Sequence, residues 1–195
     1  MVIYILIIVS YGEIKPQHKK AYYLLHGYDY MYATTSDGTV VDFSTGEELS
    51  MKPNKAKGSI QVWLMQNGAR KPEYVHRVIV KTQLDNNKDK PEVHHIDKNP
   101  ANNKPSNLLP VTDKEHRLLH KLLNAEKTEE YKQLINEIRK DNRQKVYKIP
   151  HPDYEPNEHY NYWMILDTTG YKAFKEGQPI PFNSIVREYA DSKGA

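Results

Sequence analysis

The chain of 195 residues has no cysteine, 3 phenylalanines against 15 tyrosines, and no long apolar run. The absence of cysteine excludes disulfides, thiolate zinc sites and cysteine nucleophiles, so any metal site must use His, Asp, Glu, Asn or water. The apolar run at residues 1–9 is too short to span a bilayer and lacks a basic leader and a small-residue cleavage site. It predicts a buried β-strand and a cytoplasmic protein without membrane contact.

Charges of both signs are present but unevenly distributed. The formal net charge of +3 divides into −3 for residues 1–50, +6 for 51–90, +3 for 91–150 and −3 for 151–195. Because phosphate affinity depends on local Lys and Arg rather than on the whole-chain sum, the basic middle fits a polyanion. On charge alone, a solvated face with lysines kept for solubility is an equally good interpretation.

Short alternating apolar runs separated by turn residues predict a β-meander over residues 30–80. The clearest turn is Asn67-Gly68, because both residues tolerate the positive φ of a tight hairpin. His76 is interpreted as a packed histidine of this meander, with contact to a nucleic-acid backbone as the alternative. A loop is predicted for residues 84–91.

Two helices are predicted next. The first runs from Asp113 to about Ala125, with Thr112 as N-cap and Glu115 three residues later, the pattern of a capping box. The second, over residues 128–145, has one apolar face formed by Tyr131, Leu134, Ile135 and Ile138. Beyond it we expect a proline-rich arm (148–162), a hairpin (162–174) and a short helix (182–190) capped by Asn183 or Ser184.

Four of the nine histidines lie between residues 93 and 120. His116 and His120 are one helical turn apart, a spacing at which two imidazoles can share a metal ion. His94 and His95 are neighbours on a predicted strand and therefore point to opposite faces. One of them can complete a three-histidine site while the other stays free as a general base. Taken separately, each pair is more typical of surface histidines.

A strand with His-His, a loop holding Asn and a capped helix with His-x-x-x-His resemble the HNH endonuclease motif, the ββα-metal nuclease fold. The stretch over residues 58–80, followed by 94–112, is similar to phage- and intron-encoded HNH homing endonucleases, and a phage-encoded chain would act in the host cytoplasm. The resemblance covers roughly residues 28–121 and implies cleavage of DNA. By position it implies His94 as metal ligand, His95 as general base, Asn107 as the residue that holds His95 through a side-chain hydrogen bond, and His116 and His120 as helix ligands.

The mechanism that the resemblance implies uses one divalent ion. His95 takes a proton from water, the hydroxide attacks a phosphodiester in line, and the ion stabilises charge on the phosphorane and the departing 3′ oxygen. Histidine stands where homing-type members often have Asp or Asn, which favours transition metals or zinc over magnesium, and the candidate ions are Mg, Mn, Zn and Ni. Candidates for holding DNA phosphates, each also explicable as an ordinary surface charge, are Arg77, Lys98, Lys104 and Arg117.

The sequence as a whole predicts an α+β fold, in which a β-rich module of antiparallel hairpins leads into a ββα-metal unit, followed by helices and a small α/β extension. The predicted segments are 1–27 (lead-in strand), 28–90 (β-rich module), 91–125 (HNH unit), 126–148 (helical) and 149–195 (extension of unknown role). Without bracing cysteines, packing must hold the HNH unit, and the expected core residues are Val93, Ile96, Leu108, Leu109, Val111, Leu118 and Leu122. A catalytically silent DNA-binding module stays open as an alternative, as does an interaction protein that binds a partner or itself through its acidic termini.

Overall fold

The computed structural model describes residues 21–29, 32–54, 58–86, 88–157 and 160–193, so the strand predicted for residues 1–9 lies outside the described part of the chain. Its largest element is a six-stranded antiparallel sheet with the order β3-β2-β1-β11-β10-β9. The strands of this sheet are β1 (Ala21–Leu25), β2 (Tyr32–Thr35), β3 (Val40–Asp42), β9 (Tyr147–Pro150), β10 (Tyr160–Leu166) and β11 (Ile185–Ser192).

A smaller sheet and a β-ribbon complete the strands. The three-stranded sheet consists of β4 (Lys52–Pro53), β5 (Ile60–Gln66) and β6 (Ala69–Tyr74), and the ribbon pairs β7 (Glu92–His95) with β8 (Leu108–Val111). The helices are α1 (Val75–Gln83), α2 (Asp113–Asn124), α3 (Thr128–Asn142) and α4 (Thr168–Lys175). The predicted α+β class is confirmed. Within the described ranges, no helix has the length and apolar content needed to cross a membrane.

The predicted hairpin at Asn67-Gly68 is present between β5 and β6. Both residues have positive φ, 54° and 71°, as a two-residue turn with this twist requires. The turn is also held from outside, because the Asp29 carboxylate accepts hydrogen bonds from the backbone N–H groups of Asn67 at 2.7 Å and Gly68 at 2.6 Å. Local sequence and a tertiary contact therefore favour the same turn.

The end of the predicted meander is wrong, because residues 75–83 form helix α1. Val75, Val78, Ile79 and Thr82 are all buried, and their spacing is that of one helical face. That period outweighs the strand preference of the β-branched residues. The predicted loop at residues 84–91 has no helix or strand among its described positions.

Three predictions for the C-terminal extension are also wrong. The expected arm contributes edge strand β9, the expected hairpin is β10 followed by α4, and the expected helix at 182–190 is a short 3-10 turn followed by β11. Asp167 caps α4 by accepting a hydrogen bond from the Gly170 backbone N–H at 2.8 Å. β11 is a strand because it pairs with β1 on one side and β10 on the other, which satisfies its backbone groups along both edges.

The large sheet joins parts of the chain that are distant in sequence. β1 lies in the predicted lead-in, β2 and β3 in the β-rich module, and β10 and β11 in the extension, while the boundary at 148/149 falls inside β9. The five-segment division stays a prediction. The sheet approaches the ribbon at Gly38, where an added Cβ would lie 2.3 Å from the Asn103 backbone oxygen. Glycine at this turn therefore permits the close approach of the two parts.

A buried carboxylate on β11 of the large sheet contacts two histidines from other parts of the chain. Glu188 of β11, 7 % exposed, contacts His26 Nε2 and lies 2.6 Å from His151 Nε2. Burial by itself would raise the pKa of the Glu188 carboxyl, but hydrogen bonds and charge attraction from the two histidines outweigh it and lower that pKa to about 2. The contact ties β11 to the ends of β1 and β9.

We expect Glu188→Gln to lower the free energy of unfolding by roughly 3 kcal/mol near pH 6. Because the carboxyl has a lowered pKa in the folded state, its contribution is present above its ordinary pKa and is lost as the pH falls from about 4.5 toward 2. Urea unfolding at pH 6, 4 and 3 measures this, with the exposed Glu129→Gln as control. A Glu188→Gln variant as stable as the parent at pH 6 would contradict the assignment.

Candidate metal centre

The ribbon β7–β8 separates the two adjacent histidines. Its register pairs His94 with Leu109 and His95 with Leu108, and directly opposed residues lie on the same face of a ribbon. Leu109 packs in a core with α2 and α3, whereas Leu108 packs in the core that contains α1. His94 therefore faces α2 and α3, and His95 faces α1.

The predicted helix brings the other two histidines to the His94 face. α2 begins after Thr112, whose side chain accepts a hydrogen bond from the Glu115 N–H at 3.2 Å, while Glu115 accepts from the Thr112 N–H at 2.7 Å. The predicted capping box is thus present. Of the expected core residues, Leu118 is 41 % exposed and that prediction is wrong, because its neighbour Leu119 occupies the helix face buried against the ribbon.

Three imidazoles meet between the ribbon and α2. The ligand atoms of His94, His116 and His120 all lie within 4.8 Å of one another. The ring centroids are 5.3 Å apart for His94–His116, 5.1 Å for His94–His120 and 4.9 Å for His116–His120. The sequence prediction that the strand and helix histidines converge is therefore fulfilled in the structure. The cluster adjoins a surface depression lined by His116, Arg117, His120, Lys121, Asn124 and Ala125.

The chemistry of this cluster fits a divalent metal. Burial, followed by the charges of His116 and His120, lowers the pKa of His94 to about 4. Burial and His120 also lower the pKa of His116. Near pH 7 these rings are neutral, which is the form that ligates metal. Three imidazole nitrogen donors suit zinc, nickel, copper or iron better than magnesium.

His95 lies on the α1 face of the ribbon, against His76. The sequence predicts a strand at His76, but this residue belongs to helix α1. The His76 ring packs edge-on to the His95 ring with centroids 5.1 Å apart and stacks on Tyr74. Burial lowers the pKa of His95, while a side-chain hydrogen bond with Asn103 and the negative charge of Asp97 act in the opposite direction. His95 Nε2 is covered and has no hydrogen-bond partner among the described residues.

Asn107 has a different set of contacts from the one predicted. Its side-chain oxygen accepts from the Asp97 N–H at 2.9 Å, and its amide donates to Asp97 Oδ1 and to the Asn102 carbonyl, both at 2.9 Å. Both amide hydrogens are therefore used within the loop. The expected side-chain hydrogen bond to His95 is wrong, and Asn107 instead braces the loop that follows His95.

The four predicted phosphate contacts are all exposed but differ in setting. Arg77 is on α1 next to His76, Lys98 occupies a turn with φ 63°, and Lys104 precedes the 3-10 turn at 105–107. Arg117 forms an ion pair with Asp113 at 2.9 Å, one turn away on α2. Its charge is thus partly balanced within the helix.

Comparison with known proteins bears on the same region. A family model described as HNH endonuclease matches residues 73–118. The chain is also 29 % identical over 157 residues to a protein named "Uncharacterized HNH endonuclease L245" from Acanthamoeba polyphaga mimivirus. The match covers 80 % of this chain and 40 % of the relative, so the chain spans less than half of that protein's length.

A solved structure described as "DNA binding and cleavage by the HNH homing endonuclease I-HmuI" is similar as well. It is 20 % identical, with 84 % of this chain and 92 % of that chain covered, at a TM-score of 0.39.

Three residues make contacts around the ribbon and α2 that the sequence does not predict. His76 contacts His95, Tyr131 of α3 contacts His94, and the buried Lys90 forms ion pairs with Glu115 at 2.7 Å and Asp141 at 3.1 Å. The spacing of the four histidines between residues 93 and 120 gives no information about these contacts, because each joins residues that are distant in sequence. Tyr131 was identified as an apolar-face residue, which gave no signal for its hydroxyl.

Asn107→Ala should destabilise the HNH unit by about 2–3 kcal/mol, because three hydrogen bonds of a largely buried side chain are lost. Chemical unfolding measures the effect, and amide exchange at Asp97 should accelerate because its N–H loses its acceptor. Asn136→Ala, an exposed change on α3, serves as control and should stay within about 0.5 kcal/mol of the parent. Equal stabilities of the two variants would show that Asn107 does not brace the loop.

Proposed function

We propose that the chain is a metal-dependent DNA endonuclease of the HNH type, which hydrolyses phosphodiester bonds with His95 as general base and one divalent ion held by His94, His116 and His120. The observation that carries this proposal is the convergence of three imidazoles on one face of the ribbon, with a fourth imidazole on the other. Residues 73–118, the segment matched by the HNH family model, contain three of these four histidines, and His120 lies two residues beyond it.

The opposite faces of the ribbon suit an in-line displacement. Such a reaction places the attacking water and the departing oxygen on opposite sides of the phosphorus. The ribbon likewise puts His95 and the three-histidine cluster on opposite faces, and His95 directly follows the ligand His94 along β7. A phosphate at the edge of the ribbon would then have the base on one side and the ligands on the other.

His95 acts by accepting a proton from water. Its lowered pKa keeps the ring neutral near pH 7, and its Nε2 has no partner among the described side chains. Because Nε2 is covered in the chain alone, the proposal requires that a water reach it when DNA is bound. Asn107 has a positioning role, through the loop that fixes the end of β7 rather than through the ring.

His94, His116 and His120 would hold the metal, and the ion would supply positive charge to stabilise the negative charge that develops during phosphodiester hydrolysis. Zinc or nickel fits the nitrogen donors best, with magnesium and manganese as further candidates. Arg77, Lys98, Lys104 and Arg117 would hold the flanking phosphates. A cytoplasmic location, a phage origin and a protein partner for the acidic termini stay predictions.

A catalytically silent DNA-binding module is the second candidate, favoured by the covered Nε2 of His95. Incubation of supercoiled plasmid with the protein and Mg²⁺, Mn²⁺, Ni²⁺ or Zn²⁺ separates the two. Nicked or linear product supports the endonuclease. Tight DNA binding with intact plasmid under every metal supports the silent module.

Two variants test the division of roles. His95→Ala should reduce cleavage by about 10²- to 10⁴-fold, the usual contribution of a general base, while metal affinity measured by calorimetry stays unchanged. His116→Ala should weaken metal affinity by more than the 10- to 100-fold typical of residues that merely support a ligand. Loss of metal affinity in both variants would contradict the assignment of His95.

The salt dependence of DNA binding measures how many phosphate contacts the protein makes. Lys104→Ala should weaken DNA binding and reduce the slope of log Kd against log salt by about 1, because one fewer counterion is released. Arg117→Ala should reduce it less, since Asp113 already pairs with that guanidinium. Lys132→Ala, on α3 and paired with Glu129, is the control. Unchanged slopes for both Lys104 and Arg117 would remove them from the interface.

A further inference from the structure

Tyr131 connects α3, a helix without any predicted site residue, to the three-histidine cluster. Its side chain is buried at 6 % exposure. The hydroxyl oxygen lies 2.8 Å from His94 Nε2 and 3.0 Å from the Ile96 carbonyl oxygen. The Tyr131 hydroxyl thus joins the ligand ring to the backbone two residues farther along the ribbon.

Counting protons decides the direction of these two hydrogen bonds. A tyrosine hydroxyl has one hydrogen, and a carbonyl oxygen can only accept. The Tyr131 hydrogen therefore goes to Ile96, and His94 Nε2 must be the donor in its bond to Tyr131. A neutral imidazole with its proton on Nε2 has its lone pair on Nδ1.

We propose that Tyr131 is a positioning residue that fixes His94 in the Nε2–H tautomer and so reserves Nδ1 as its metal-binding atom. This rests on the proposed function, in which His94 is a ligand. A ligand histidine commonly has its second ring nitrogen held by a hydrogen bond that sets tautomer and ring orientation. Tyr131 provides that bond from a separate helix.

The position of the hydroxyl is fixed by the packing of α3. Ile135 and Ile138 of the same helix are buried in one core with Leu109 and Leu119. At its C-terminal end, Asn142 donates a side-chain hydrogen bond to the Pro110 carbonyl at 2.8 Å. α3 is therefore attached directly to β8, the partner strand of His94.

The tautomer can be measured without metal or DNA. Long-range ¹H–¹⁵N correlation spectra of the full-length chain with ¹⁵N-labelled histidine, near pH 7.5, distinguish Nε2–H from Nδ1–H rings, and a His94→Gln spectrum assigns the His94 signals. We expect the Nε2–H pattern in the parent and a mixture of tautomers in Tyr131→Phe. An Nδ1–H ring in the parent, or identical His94 signals in both chains, would overturn the proposal.

Metal affinity gives the second measurement. Zn²⁺ titration by calorimetry should show about a 10- to 100-fold weaker affinity for Tyr131→Phe than for the parent. Tyr160→Phe is the matched control, because Tyr160 is also buried and its hydroxyl has no hydrogen-bond partner among the described residues. Its affinity should equal that of the parent. An unchanged affinity in Tyr131→Phe, or an equal loss in both variants, would overturn the positioning role.

Neither measurement uses cleavage, so the two proposals fail separately. An expected tautomer and an expected loss of Zn²⁺ affinity support the role of Tyr131 even if the parent cuts no plasmid. Cleavage by the parent together with an unchanged Tyr131→Phe spectrum rejects the role of Tyr131 and leaves the endonuclease in place. Unfolding curves of both tyrosine variants identify any loss of affinity that comes from unfolding, which would count against the positioning role.

Discussion

The alternation of side chains along the two-stranded ribbon is the constraint on which the site depends. Two adjacent histidines on one strand must point to opposite faces. The cross-strand register then places His94 beside Leu109 and His95 beside Leu108. A shift of one residue would exchange the faces and move His95 toward the helix histidines. The register is therefore as important to the chemistry as the identity of the residues.

Different hydrophobic cores hold the two faces in place. Leu108 and Val93 pack with α1 and the sheets, whereas Leu109, Val111 and Ile96 pack with α2 and α3. The apolar residues on the His95 face thus belong to one core, and those on the His94 face belong to the other. Slippage of the ribbon would bring apolar side chains out of both cores at once, which makes this register strongly preferred. Because the chain has no cysteine, this packing holds the ribbon without disulfides or a thiolate zinc site.

Those parts of the fold encoded by local spacing were predictable, and those set by distant contacts were not. The capping box at Thr112, the turn at Asn67-Gly68 and the histidine spacing on α2 are local patterns, and all three are present. Residues 75–83 and 185–192 were assigned the wrong element. The first has a helical burial period within a β-branched stretch, and the second is a strand through its pairing with β1 and β10.

Within the site, residue identities were easier to predict than contacts. The convergence of three histidines followed from spacing and strand geometry, whereas the amide hydrogens of Asn107 are committed to Asp97 and Asn102. No sequence pattern shows whether the Asn107 side chain bonds to His95 or to the loop, because either set of partners satisfies its amide hydrogens. Tyr131 likewise fits an apolar helix face. Only the structure shows that its hydroxyl oxygen lies 2.8 Å from His94 Nε2.

A buried lysine limits how α2 and α3 can move relative to the ribbon. Lys90 precedes β7 and reaches Glu115 in the first turn of α2 and Asp141 near the end of α3. A buried ion pair contributes little net stability compared with apolar packing, but removal of one partner leaves an uncompensated charge and is costly. Sliding of either helix would separate a carboxylate from the 2 % exposed ammonium side chain. The ion pairs therefore favour the one arrangement in which His116, His120 and Tyr131 all reach His94.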